Sequence, residues 1–145
     1  MTPQRCDGVL MSNVTAEFYA CLDDRDYAGA LRCLAPDAVW VRRGTRLAGH
    51  DAIARAMHER PADFHTRHLV TNVRVHQPAA DSGMVTFYMI GLPHIGVIPD
   101  GAYVPVPQPH ILNVYRDVFA KIDGRWLITE KSPLKTAFKD DLKLP

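Results

Sequence analysis

Cysteine is scarce in this chain: Cys6, Cys21 and Cys33 are the only three in 145 residues, and no CxxC pair occurs. An odd, sparse set argues against a disulfide scaffold or a thiolate zinc site, and the expected setting is the reduced cytoplasm. Long apolar runs are missing as well. No stretch approaches the ~18 apolar residues that span a bilayer, and Met1 to Met11 lacks the basic start and apolar core of a secretory signal. Charge of one sign is also lacking, with 17 Lys and Arg against 16 Asp and Glu. No basic block stands out, so a nucleic-acid partner is not expected. Arg42 and Arg43 are adjacent, but two basic residues on a strand read as a solvated edge. The length suits one domain, and a 47% hydrophobic fraction supplies a core without disulfides or structural metal.

What is present is ordered along the chain. Residues 1–11 read as a loose tail. Ser12 or Asn13 can cap a helix whose apolar positions Val14, Phe18, Cys21 and Leu22 recur at helical spacing. Asp23 to Asp26 breaks that face. A second helix starts near Asp26, carries Tyr27, Ala30, Leu31 and Leu34 on one stripe, and is stopped by Pro36. Ala38 to Arg42 reads as a strand, and Asp51 can cap a third helix ending near Arg60.

The remainder reads as strands. Phe64 to His76 is the longest, with Met84 to Gly91 as its hairpin partner. His110 to Ile122 and Arg125 to about Leu134 form a second hairpin around Asp123-Gly124, a strong turn signal. The proline-rich stretch from Leu92 to Pro109 cannot be a central strand and reads as a flap. Early helices and late strands predict an α+β fold, with three helices packed on one face of a curved antiparallel sheet.

On the Phe64–His76 strand, alternation puts Thr66, His68, Val70, Asn72, Arg74 and His76 on one face. Leu69, Val73 and Val75 fall on the other. If helices cover only the first face, the apolar second face calls for a homodimer.

The run from Phe18 to Tyr27, followed by Leu34-Ala35-Pro36-Asp37-Ala38-Val39-Trp40, resembles the opening of nuclear transport factor 2-like proteins. Gly49 to Ile53, Arg67 to Asn72 and Lys121 to Trp126 resemble three later signatures in the same order. The resemblance covers residues 12–136 and implies a single cone-shaped domain there, with 1–11 and 137–145 as tails. Within that superfamily the chain is similar to the SnoaL-like branch containing scytalone dehydratase and lindane dehydrochlorinase. The resemblance implies a catalytic pair of Asp23, late in the first helix, and His68, on the long strand. It also implies that Trp40, Tyr115 and Lys131 line the pocket. Phe18 stands where the dehydrochlorinase has a lysine, and Leu22 and Arg42 stand where the scytalone enzyme has tyrosines.

A histidine titrates near neutrality, and a carboxylate on one ring nitrogen fixes its tautomer for proton transfer at the other. The pair could therefore take a proton from carbon in a cofactor-independent lyase or isomerase acting on a small cyclic or aromatic, apolar molecule. Lys131 would stabilise developing negative charge, and Asn113 and Tyr115, on one face, would offer hydrogen bonds. Each residue also has a plainer reading: Asp23 as a helix terminator, His68 and Tyr115 as satisfied core residues, Lys131 as a solvated strand residue. His65 and His68 point to opposite faces of a strand, so no metal site is expected. His94 and His110 bracket the flap and could reach the pocket mouth. The alternatives to an enzyme are a small-molecule-binding protein or accessory subunit of the same fold, and a dimer whose cone is filled by its own side chains.

Overall fold

A computed structural model describes residues 3–77, 79–141 and 143–144. Its elements are α1 (Pro3–Asp23), α2 (Tyr27–Arg32), β1 (Leu34–Arg42), β2 (Thr45–Ala48), α3 (Gly49–His58), β3 (Phe64–His76), β4 (Ser82–Ile95), β5 (Ile111–Ile122) and β6 (Arg125–Lys139). The six strands form one sheet in the order β2-β1-β6-β5-β4-β3. The predicted α+β fold is present, with one correction to the sheet. β1 runs parallel to β6 while every other pair is antiparallel, so the sheet is mixed. Local register gives no hint of that pairing, because β1 and β6 are far apart in sequence.

Among the described residues, regular structure extends beyond 12–136, from Pro3 to Lys139. α1 begins at Pro3, a residue suited to the first helical turn. Tertiary anchors hold this turn-rich sequence helical. The Asp7 carboxylate accepts hydrogen bonds from the Trp126 indole at 2.8 Å and the Lys121 ammonium at 3.2 Å. Gly8 lies against Val75, and Met11 is fully buried against Gly83. Ser12, expected as a cap, instead donates back to the carbonyl of Gly8 inside the helix. At the other end, β6 extends to Lys139 rather than stopping near Leu134.

α2 starts where expected, with the Asp26 side chain accepting from the Gly29 N–H at 2.8 Å. It stops earlier than the apolar stripe suggested. Leu34 already belongs to β1, and Pro36 sits where the β1–β6 register shifts, a place where a missing N–H is tolerated. The cap of α3 is Ala48, with Asp51 inside its first turn. The Asp123-Gly124 hairpin forms as predicted, both residues having positive φ and Ile122 facing Arg125. β4 continues through Pro93 to Ile95, so the coil between β4 and β5 is shorter than the proline pattern suggested.

β3 occupies Phe64–His76 as read, though β4 and β6 are longer. Its faces differ from simple alternation. A bulge between Thr71 and Arg74, with Asn72 at φ 52°, puts two residues opposite Phe87 and reverses the parity beyond it. Val75 therefore pairs with the buried Val85 and packs toward α1 rather than away from it. An apolar outer face exists, but it is a row across four strands: Leu69, Ile90, Leu112 and Phe138 oppose one another in register. Leu69 is 49% and Phe138 73% exposed.

Between sheet and helices lies a core that includes Phe18, Ile53, Met57, Val85, Phe87, Phe119 and Ile128. At its centre is an ion pair with no solvent exposure on either side chain: Lys131 Nζ lies 2.9 Å from Asp117 Oδ1. The Thr15 hydroxyl of α1 donates to the other carboxylate oxygen at 2.8 Å. Four aromatic rings, those of Phe18, Tyr19, Phe87 and Tyr115, stand within 4.3 to 5.6 Å of the ammonium. Burial pushes the Asp117 carboxyl up and the Lys131 ammonium down, and each partner opposes the shift in the other. Lys131→Met leaves a buried carboxylate unpaired and should cost ~3–5 kcal/mol in urea unfolding, whereas Lys131→Met with Asp117→Leu should recover most of it. A single substitution without measurable cost would show the pair to be dispensable.

Candidate active site

The turn after α1 positions the site. Arg25, at φ 59°, sends its guanidinium to the carbonyls of Pro61 and Phe64 and so fastens the end of α1 to the start of β3. Asp23, the last residue of α1, is thereby held against Thr66 and His68. Its Oδ1 accepts from His68 Nδ1 at 2.6 Å and from the Thr66 hydroxyl at 2.8 Å, and its Oδ2 accepts the His68 backbone N–H at 2.7 Å. Thr66 in turn accepts from Arg60 Nη2 at 2.6 Å, and Arg60 Nη1 donates to the Leu22 carbonyl at 2.7 Å. The Tyr19 ring leans on the imidazole with centroids 4.9 Å apart.

Burial alone would push the Asp23 carboxyl up. The His68 ring, its backbone N–H and the Thr66 hydroxyl outweigh that and hold it below its ordinary range. An ionised carboxylate only accepts, so His68 Nδ1 must carry the hydrogen, and Nε2 is left as the nitrogen free to exchange a proton.

His68 lines a cavity of about 980 Å³ that is partly open to solvent, at the upper end of the range for small-molecule sites. The cone is thus not filled by its own side chains. Trp40, Asn113 and Tyr115 line the same cavity. Asn113 Oδ1 already accepts from Thr136 at 2.8 Å. Burial pushes the Tyr115 phenol up to about 12, against a smaller opposing pull from the Trp40 indole. Gly91 lies in register between His68 and Ile111, and a Cβ there would sit 3.2 Å from Ile111. Its missing side chain keeps the cavity clear beside the imidazole. Lys131 is placed differently from the sequence expectation. It faces Asp117 in the core, behind the rings of Tyr19 and Tyr115, and is not part of the cavity wall.

Several residues of the site escaped the sequence reading. Thr66 shares a face with His68 and could have been found by parity; Arg60 could not. A second histidine–carboxylate pair, His110 Nδ1 with Asp140 Oδ1, also borders the cavity. Asp140 lies in the stretch read as a tail, and its N–H donates to the His110 carbonyl at 3.0 Å. The Tyr19 hydroxyl, buried on the cavity side, has no hydrogen-bond partner among the described residues.

Among the described residues no three His, Cys, Asp or Glu side chains cluster so as to hold a metal ion. Burial raises the Cys21 thiol to about 11 and the Cys33 thiol to about 12, so neither is a thiolate near neutrality. A second groove of about 490 Å³, between α1, α2 and the β5–β6 turn, lacks histidine and lies away from the dyad. Among the described residues no helix is long and apolar enough to cross a membrane.

Because the folded Asp23 carboxyl titrates below its unfolded value of ~3.9, its contribution to stability is full above that pH and is lost as pH falls through the folded value. Asp23→Asn should therefore flatten the acid limb of a melting-temperature profile. An acid limb identical to that of the unsubstituted chain would refute the assignment.

Comparison with known proteins agrees with this architecture. The model of the SnoaL-like domain family matches residues 9–132. No curated protein matches the chain significantly. Among solved structures, a hexachlorocyclohexane dehydrochlorinase (LinA) type 2 superposes with a TM-score of 0.78 at 17% identity, over 97% of this chain and 91% of that one. A protein of unknown function with a cystatin-like fold from Nostoc punctiforme gives 0.75 at 17% identity, over 92% of each chain. ActVI-ORFA from Streptomyces coelicolor gives 0.73 at 18% identity, over 92% of this chain and 98% of that one. At such identities the superpositions speak for the fold. The family match spans most of the chain, and the curved sheet with three helices is the architecture it implies: the chain belongs to the SnoaL-like branch of the nuclear transport factor 2-like proteins.

Proposed function

We propose that the chain is a cofactor-independent lyase of the dehydratase type, or an isomerase, acting on a small cyclic or aromatic molecule. The observation that carries this reading is the 2.6 Å contact between Asp23 and His68 Nδ1 at the wall of a ligand-sized cavity. In the reaction, His68 Nε2 takes a proton from a carbon next to a carbonyl, and Asp23 stabilises the imidazolium. In a dehydration, the electron pair of the broken C–H bond forms the double bond as the C–O bond breaks. The hydroxyl needs a proton to leave as water, and His110, oriented by Asp140, is on the same cavity to give it. In an isomerisation the proton returns to another carbon instead.

The first step can be tested without the natural substrate, through hydrogen–deuterium exchange at the α-carbon of 1-tetralone in heavy water. The chain should accelerate exchange, and His68→Ala should lose ~10²–10⁴-fold of that acceleration while still unfolding cooperatively as a folded chain. Bound tetralone with no acceleration would move the small-molecule-binding or accessory reading to first place.

We also propose a homodimer, with the row of Leu69, Ile90, Leu112 and Phe138 meeting its own copy about a two-fold axis. Sedimentation should give a dimer for the chain and a monomer for Phe138→Asp. A monomeric parent chain would sink this.

A further inference from the structure

The cavity carries more positive charge than the dyad needs. Arg42, Arg43, Arg60, Lys139 and Lys143 line it, against the carboxylates of Asp140 and Asp141, with Asp23 behind His68. Two of those carboxylates are already engaged, Asp23 by His68 and Asp140 by His110. Arg60 spends its donors on Leu22 and Thr66. Arg42 is placed differently. It is half-buried at the end of β1, with its guanidinium 5.5 Å over the Trp40 ring and one long bond, 3.3 Å, to the Ala56 carbonyl. Among the described residues no carboxylate pairs with it, and its charged neighbours Arg43 and Arg60 repel it. Burial and that repulsion both draw its pKa down.

A guanidinium withdrawn from water without an anion is costly, and its planar fork matches a carboxylate with two parallel hydrogen bonds. Trp40 and Tyr115 border the same space. We propose that the cavity takes an organic anion, a flat ring bearing a carboxylate, with the acid group on Arg42 and the ring along Trp40 and Tyr115. This replaces the apolar ligand expected from sequence. It deepens the proton-transfer reading and rests on it for any catalytic meaning. The anion is then an anchor, and His68 meets the ring carbons rather than the charged group.

The test compares 1-naphthoate with its neutral counterpart 1-naphthamide in titrations of the chain. The two tryptophans report the location, because Trp40 lines the cavity and Trp126 lines the outer groove, where Arg32 and Arg125 offer a competing anion site. Naphthoate should shift the Trp40 indole resonance, leave that of Trp126 in place, and bind about 10- to 100-fold more tightly than the amide. Arg42→Met should erase the preference, and Arg42→Lys should keep part of it. Equal affinities, a shift confined to Trp126, no shift with either probe, or a preference untouched by Arg42→Met would each overturn the proposal. If Arg42→Met does not fold, the acid-to-amide ratio in the parent chain and the reporting tryptophan still decide. Failure of the dyad is a separate result: tetralone exchange independent of His68 alongside an intact naphthoate preference would keep the anion site and remove the proton-transfer reading.

Discussion

The rest of the structure is built around a charge pair placed where no water reaches. Lys131 on β6 and Asp117 on β5 face each other in the core, and Thr15 of α1 completes the hydrogen bonding of the carboxylate. Such a pair is tolerable only if both charges and their remaining hydrogen bonds are satisfied together. That requirement fixes the depth and rotation of α1 against the sheet. It also ranks the rings of Tyr19 and Tyr115 around the ammonium, and those two rings are walls of the cavity. The lysine thus shapes the site from behind.

From that seating the proton-transfer geometry follows. With α1 fixed, its last residue reaches β3, and Arg25 closes the turn by binding carbonyls on the approach to that strand. Asp23 is then surrounded by three donors from Thr66 and His68. A carboxylate so held stays ionised in spite of its burial, which is what an orienting partner for imidazole requires. Charge in this molecule is therefore divided between two tasks. In the core, Lys131 and Asp117 answer each other, whereas the cavity wall keeps Arg42 without an acid opposite it among the described residues.

Four strands contribute to the wall of the cavity. His68, Gly91, Ile111 and Lys139 lie in one register row, and the next row outward is Leu69, Ile90, Leu112 and Phe138. Adjacent rows point to opposite faces, so the same strand segments present chemistry inside and an apolar strip outside. Any partner on the strip would stiffen the very segments that carry the histidines.

The sequence by itself determined the elements whose signals are local: the extent of β3, the Asp-Gly hairpin, the start of α2 near Asp26, and the placing of Asp23 late in a helix and His68 on a strand. Periodicity and turn chemistry act within a few residues, so they are legible without coordinates. The resemblance of the motifs, taken in order, carried the fold and the pairing of those two side chains. Tertiary structure alone decided the parallel joining of β1 to β6, the helical state of Pro3 to Met11, and the use of Asp140 as a partner for His110. Each depends on residues remote in sequence. The bulge at Asn72 is the sharpest case, because one extra residue reversed the facing of Val75 while leaving the strand's limits as read. Lys131 is the other. Its strand was foreseeable, but whether its ammonium met a ligand or a buried carboxylate depended on which residue β5 placed opposite it, and that residue is Asp117.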